Sequence, residues 1–201
     1  RVRPNLYAAQ AMLARVYLYV GKWAQASNSA ATVLNNTETY GWVVELNNVF
    51  LKESTTTIWQ YSARTATRNT DEGTTFIFNS APPTAVALTS SLMNAFESGD
   101  QRKEKWIRTR TGGGKTYYHA YKYKKTGSAT PQTEFSIVLR LAEMYLIRAE
   151  ARARQGELTN AKEDLNVIRN TAGLANTTAD TQDEILQAIL RERRVEFFTE
   201  F

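Results

Sequence analysis

Apolar positions recur along this chain at two spacings, and the spacing divides it into three stretches. Near the start, Leu6, Leu13, Val16, Tyr17 and Val20 follow a 3.6-residue period, which predicts a helix over Tyr7 to Val20. Gly21 interrupts it, and Trp23, Ala26, Ala30, Val33 and Leu34 carry a second helix to Asn35. Toward the end, Val138, Leu141, Ala142, Tyr145, Leu146, Ala149 and Ala153 form one stripe that predicts a helix over 138–155. Gly156 breaks it, Leu158, Ala161, Leu165 and Ile168 carry the next, and Gly173 stands as a left-handed cap with Leu174 packed back on the last turn. The last helix, 184–200, opens with Thr181-Gln182-Asp183-Glu184, where a hydroxyl and a carboxylate each satisfy an orphan amide.

The two helical pairs share their punctuation. Gly21, Trp23 and Ala26 are spaced as Gly156, Leu158 and Ala161 are. In each, the Gly permits a tight turn, the large apolar residue plugs the angle, and the Ala lets the helices approach. That is the logic of a tetratricopeptide unit, with Leu13, Ala14 and Tyr17 where its first helix wants them. Between the pairs the texture changes. Ile58-Trp59-Gln60-Tyr61 and Thr75 to Asn79 alternate like short strands, Thr89 to Ser98 reads as a short helix stopped by Gly99, and Trp106 to Lys124 reads as a β-hairpin with Gly112-Gly113-Gly114 at its tip. The expected fold is therefore mostly α. Tetratricopeptide-like helical hairpins at 4–36 and 135–201, the latter with the final helix, flank an irregular insertion at about 45–134 holding short β-strands or a hairpin, all in one domain.

Composition removes several chemistries. Zero Cys excludes a disulfide framework, a thiolate metal site and a cysteine nucleophile, and the single His119 argues against a histidine metal centre or a Ser-His-Asp triad, so neither metal nor cofactor is expected. No apolar run has the roughly 18 residues needed to span a bilayer. The chain also reads as cut, opening Arg1-Val2-Arg3-Pro4 and stopping at Phe201 inside a helical pattern. The net charge of +5 is local: residues 101–125 hold nine basic residues against one acid, so the rest of the chain sums to −3. Basic residues interleaved with Trp106, Tyr117, Tyr118, Tyr121 and Tyr123 suit a single-stranded nucleic-acid platform, but alternation alone accounts for them as a hairpin with Lys and Arg outward and Tyr inward. No nucleic-acid partner is expected.

The stretch Val138-Leu139-Arg140-Leu141-Ala142-Glu143-Met144-Tyr145-Leu146-Ile147-Arg148-Ala149-Glu150-Ala151, followed by Leu165-Asn166-Val167-Ile168-Arg169, Ala172-Gly173-Leu174 and Glu192-Arg193-Arg194-Val195-Glu196-Phe197, resembles the RagB/SusD family of outer-membrane nutrient-binding lipoproteins. Weaker agreement at Trp23-Ala24-Gln25-Ala26, Ile58-Trp59-Gln60-Tyr61 and Gly99-Asp100-Gln101-Arg102 extends the resemblance over nearly the whole chain. It implies a non-catalytic protein at the cell surface of the outer membrane, held there only by an N-terminal lipid anchor that this sequence lacks. Such a protein passes an oligosaccharide, or in some members a peptide, to a SusC-like TonB-dependent transporter. The alternative is a tetratricopeptide-type scaffold whose concave face binds a peptide or partner protein.

Two sets of residues invite chemistry. Arg140, Glu143, Glu192, Arg193 and Glu196 suggest paired carboxylates, but the interspersed Arg residues predict a neutralised salt-bridge network between helices 138–155 and 184–200. Glycan recognition needs flat aromatic faces with Asn, Asp or Arg beside them. Trp23 and Trp59 read as core and Trp42 as core or rim. The candidate ligand-binding residues are Trp106, Tyr117, Tyr118, Phe76, Phe78 and Asn79. A two-residue period puts Tyr117, Tyr121 and Tyr123 on one face and leaves Tyr118 as the exposed one.

Overall fold

The computed structural model describes residues 2–63, 65, 67–128 and 130–200. In chain order its elements are α1 (Leu6–Tyr19), α2 (Trp23–Leu34), a 3-10 turn at Leu46–Asn48, β1 (Thr57–Tyr61), α3 (Asp71–Phe76), α4 (Ser90–Met93) and α5 (Gln101–Lys105). There follow β2 (Ile107–Gly112), β3 (Lys115–Ala120), β4 (Ser136–Arg140), α6 (Leu141–Arg154), α7 (Leu158–Thr171) and α8 (Gln182–Glu196). The mostly helical, tetratricopeptide-like architecture expected from the periodicity is present, with β2–β3 and β1–β4 as two small antiparallel sheets.

Both helical hairpins turn by the same device. After α1, Gly21 takes φ +72° and the Lys22 amide donates to the Tyr17 carbonyl at 2.9 Å. After α6, Gly156 takes φ +82° and the Glu157 amide donates to the Arg152 carbonyl at 3.0 Å. A side chain at either glycine would meet the left-handed penalty, so the shared Gly is a backbone requirement. The capping box at Thr181 and Glu184 is also formed in full.

α6 is the spine of the molecule. Met144, Ile147 and Ala151 face a core shared with α1 and α2, while Ala142, Leu146, Ala149 and Ala153 face a second core with α7 and α8. Each fully buried Leu or Ile here contributes about 2–3 kcal/mol of transfer free energy. A further core gathers the middle stretch: Leu46, Phe50, Met93, Phe96, Trp106, Ile107 and Tyr123 pack with Ile137, Val195 and Phe198.

Several expectations are corrected. The helix expected from 138 begins at Leu141, because Ser136–Arg140 pairs with β1, Trp59 opposite Leu139 and Tyr61 opposite Ser136. That partner lies about 80 residues earlier, beyond the reach of a local pattern. Thr75 to Asn79 is not a strand. Thr70 caps α3 through its hydroxyl, which accepts from the Gly73 amide at 3.1 Å, and Asp71 and Glu72 in the first turn favour the helix dipole. On α1 the buried residues are Ala8, Ala11, Ala14 and Leu18, whereas Leu6, Leu13, Val16 and Val20 face outward. The alanines meet α2 and α6, and their small size is what allows that approach.

Candidate functional site

The hairpin β2–β3 has the expected tip, and Arg108, Arg110 and Lys115 stand exposed as expected, but Tyr117 and Tyr118 lie on the faces opposite to those expected. Ile107 lies opposite Ala120, and both are buried in the middle core. Thr109 and Tyr118, opposite one another, therefore follow on the same inward face, and Tyr118 packs against that core. Tyr117 falls on the other face with Arg108, Arg110 and His119. The residue expected to be exposed is the half-buried one facing in, because Ile107 and Ala120 set the register of the apolar face.

Trp106 is withdrawn as a ligand platform. It is 1% exposed, its indole N–H donates to the Leu46 carbonyl at 3.0 Å, and Phe50 lies edge-on at 5.4 Å. With Phe50 and Phe198 it forms a wall around the Lys122 ammonium, which stands 4.2 Å from the Phe198 ring centroid and 5.1 Å from that of Trp106. Burial pushes Lys122 down to about 8 against the pull of Glu200. The basic segment thus does not present all its charge to solvent, since Arg102 and Lys122 are interior.

The remaining expected residues lie around a loop crossing the hairpin. The Leu88 amide donates to the Tyr118 carbonyl at 2.8 Å, and Gly112 runs so close to the loop that a Cβ there would stand 2.5 Å from the Ala81 carbonyl oxygen. Phe78 lies edge-on to His119 at 4.6 Å, and burial, with Arg110 and Arg108 nearby, lowers the imidazole's proton affinity. Phe76, Val86, Leu88 and His119 line a cleft of about 100 Å³, too small for a sugar ring, and Asn79, which does not line it, is exposed. Phe76 turns partly into the middle core. Phe78, Asn79 and Tyr117 keep accessible surface.

A larger cleft, of about 540 Å³, opens where the sequence reading placed only a strand end. Tyr61, 53% exposed, closes β1 with its ring braced edge-on by Trp59 at 5.0 Å. Around it stand Ser62, Arg68, Asn69, Asp71, Glu72 and Ser136. Arg68 donates to Asp71 at 2.9 Å, and the Ser136 hydroxyl donates to Glu72 at 2.7 Å. Asn69 is buried, and its amide oxygen accepts from the Thr133 backbone at 3.4 Å. Its amide nitrogen has no partner among the described residues. The available signal was an aromatic strand end followed within ten residues by Arg68-Asn69-Thr70-Asp71.

The carboxylates are consumed in ion pairs. Glu196 meets Arg140 at 2.6 Å and Arg102 at 2.8 Å, Glu192 meets Arg102 at 2.6 Å, and Asp100 flanks Arg102 at 2.7 Å. Although burial alone would raise it, Glu196 is held at about 2 by Arg140 and Arg102. Burial raises Glu192 despite Arg102. The expected link to the last helix exists, but Arg140 makes it from a strand, and Arg102 of α5 is the hub that sequence reasoning missed. Glu143 is not a member. It faces Arg15 of α1 at 2.6 Å. A second polar cleft, of about 420 Å³ near Glu97, Arg169, Thr177 and Arg191, offers no aromatic ring, and its Arg169 is bound to Glu97 at 2.6 Å. Among the described residues no three His, Cys, Asp or Glu gather to hold a metal ion, and no helix is long and apolar enough to cross a membrane.

No curated protein sequence matches this chain. Solved structures do. A SusD superfamily protein from Bacteroides vulgatus ATCC 8482 superposes with a TM-score of 0.82 at 21% identity, over 98% of this chain and 50% of that one. A SusD-like carbohydrate binding protein from the same organism gives 0.74 at 21% identity, over 98% and 44%. Surface glycan-binding protein A from Bacteroides uniformis gives 0.72 at 19% identity, over 98% and 47%. This chain therefore spans about half the length of the structures it matches. The model of the SusD family matches residues 12–201. The chain belongs to the SusD family.

Proposed function

We propose that this chain is part of a non-catalytic cell-surface protein that binds an oligosaccharide and delivers it to a SusC-like TonB-dependent outer-membrane transporter, the whole being held by an N-terminal lipid anchor. The irregular stretch 45–134, between hairpins at 4–36 and 135–201, is its ligand-bearing part. The observation that carries this reading is the Tyr61 cleft. The exposed ring offers an apolar face to pyranose C–H groups, and Trp59 keeps it from rotating away. Arg68, Asp71 and Glu72 supply donors and acceptors for sugar hydroxyls. Two of the similar structures are described as carbohydrate- or glycan-binding, which supports the same ligand class. The absence of catalysis is supported by Glu192 and Glu196 being pinned by arginines, Glu192 by Arg102 and Glu196 by Arg102 and Arg140, so that both are held as neutralised ion pairs.

Calorimetry with a panel of oligosaccharides and peptides tests the proposal. Truncating a stacking ring removes roughly 1.4 kcal/mol, so Tyr61→Ala is expected to weaken the best oligosaccharide about tenfold. Tyr117→Ala and Phe78→Ala, on the hairpin side, are expected to change it by less. The reverse ranking moves the site to the hairpin loop. Tight peptide binding indifferent to all three favours the scaffold, and hydrolysis of any panel member ends the non-catalytic reading.

A further inference from the structure

At the base of the β2–β3 hairpin, cations gather with no carboxylate to answer them. The Arg108 guanidinium lies 4.8 Å from the Tyr121 ring centroid and the Lys124 ammonium 4.7 Å from it. Lys124 donates to the carbonyls of Lys105 at 3.0 Å and Tyr121 at 3.1 Å, and Arg108 to those of Glu104 at 2.6 Å and Ile107 at 3.1 Å. Arg110, two residues further along β2, shares the face of Arg108. Among the described residues, Arg108, Arg110 and Lys124 make no ion pair.

The acids around them are engaged otherwise. Glu104 is bound to Lys105 at 3.3 Å, and Glu45 accepts from the Asn47 amide at 3.0 Å. Both oxygens of Glu134 accept backbone amides, from Lys124 at 2.7 Å and Lys125 at 3.1 Å. Burial and then Arg108 push Lys124 down to about 8, with Lys105 adding to them and Glu134 and Glu45 pulling the other way. Elsewhere Arg15, Arg102, Arg140, Arg148 and Arg169, all buried or half-buried, each hold a carboxylate. A half-buried ammonium crowded by like charge is stabilised by an anion brought from outside.

The cluster adjoins the Tyr61 cleft through the chain. The Asn69 amide donates to the Gly127 carbonyl at 3.0 Å, and the Gly127 amide donates to the Thr74 hydroxyl at 3.3 Å. The segment after Lys124 is thereby stitched to the cleft wall that Arg68, Asn69, Asp71 and Glu72 form. Three residues span at most about 11 Å, which bounds the distance from Lys124 to Gly127 along the backbone.

We propose that the ligand is acidic, an oligosaccharide bearing a carboxylate or sulfate whose anionic group is held by Arg108, Arg110 and Lys124 while a ring stacks at Tyr61. This rests on the oligosaccharide reading above and adds the ligand's charge to it. Cations alone would serve a membrane surface or a nucleic-acid strand equally well, and the neighbouring aromatic cleft favours the sugar.

Calorimetry on the longest chain the gene encodes compares oligosaccharides of equal length: a galacturonate, a sulfated galactan fragment and a neutral galactan fragment. The two acidic sugars are expected to bind at least about tenfold more tightly than the neutral one at about 0.01 M salt. That margin should shrink at about 0.15 M, as the screening length falls from roughly 30 Å to 8 Å. Arg108→Gln combined with Arg110→Gln is expected to weaken the acidic sugars about tenfold and leave the neutral one unchanged. Lys22→Gln, an exposed charge on the α1–α2 turn, should change neither. Near pH 8, binding of an acidic sugar is expected to take up protons, because an anion beside Lys124 favours its ammonium form. That uptake, read from buffers of different ionisation enthalpy, should vanish in Lys124→Gln. Equal affinity for acidic and neutral sugars, with Tyr61→Ala weakening both, overturns this inference and leaves the cleft reading standing. Tighter binding of anionic lipid vesicles or of a single-stranded oligonucleotide than of either acidic sugar also overturns it. Failure of all three sugars to bind overturns both readings together.

Discussion

Arg102 and Glu196 meet at 2.8 Å with both side chains buried, and this contact joins the five-residue helix α5 to the last helix of the bundle. Glu196 holds Arg140 of β4 at 2.6 Å with its other oxygen. One carboxylate thus links the middle stretch, the β1–β4 sheet and α8. Removing one partner from a buried pair leaves an uncompensated charge, which costs more than the pair itself contributes.

Glu196→Gln is therefore expected to lower unfolding free energy by about 3–5 kcal/mol. Glu143→Gln should cost less, about 1–3 kcal/mol, because Arg15 is partly exposed and can turn to water. Urea denaturation of the two variants checks the ranking. Equal losses would mean that the central network is no more than a collection of ordinary contacts.

Acid stability should follow from the same residue. Glu196 is depressed in the folded state, to about 2 from 4.5, so below pH 4.5 the unfolded chain takes up a proton that the folded one refuses. Stability present above that pH is lost as pH falls toward 2, by roughly 3 kcal/mol at 1.4 kcal/mol per pKa unit. Glu192 is raised by burial, so the folded state protonates first there and its contribution has the opposite sign. Urea midpoints taken between pH 6 and 2.5 should show a flatter acid limb for Glu196→Gln and a steeper one for Glu192→Gln. Parallel limbs in both variants would rule out this assignment.

Trp106 is expected to act through folding and not through ligand contact. Trp106→Ala empties a buried ring site, leaves the Leu46 carbonyl unpaired and opens one wall around Lys122, a loss of about 3–5 kcal/mol. Trp106→Phe keeps most of the ring and should cost less. If Trp106→Phe kept full stability yet abolished oligosaccharide binding, the interior assignment would fail.

Short-range signals were legible, and the elements they missed depend on distant partners. Gly21, Gly156 and Thr181 act within a few residues of themselves, and each does in the structure what its sequence neighbourhood predicts. Val138-Leu139-Arg140 fits a helical stripe as well as a strand, and the choice is made by β1, which no local window contains. The Tyr61 cleft was hidden for the same reason: its walls come from β1, the start of α3 and Ser136, three segments apart in sequence. Arg102 looked like one more charge in a basic run because, beyond its neighbour Asp100, its acidic partners lie on α8. On α1 the period was legible but not its phase, since an apolar residue pattern does not say which of two apolar faces meets α6.

That last ambiguity gives a sharp test on α1 itself. Ala11 is fully buried where α1 meets the helices beside it, so Ala11→Leu must force side chains off their rotamers or push the helices apart, at about 1–3 kcal/mol. Leu13 faces outward, so Leu13→Ala in the 201-residue chain removes no packed contact and should change stability by less than about 0.5 kcal/mol. The ordinary rule that deleting a leucine costs more than enlarging an alanine is therefore inverted on this helix. Thermal melts of the two variants side by side decide it. A large loss for Leu13→Ala with a silent Ala11→Leu would put the leucine stripe back in the core and require α1 to be rotated by about half a turn.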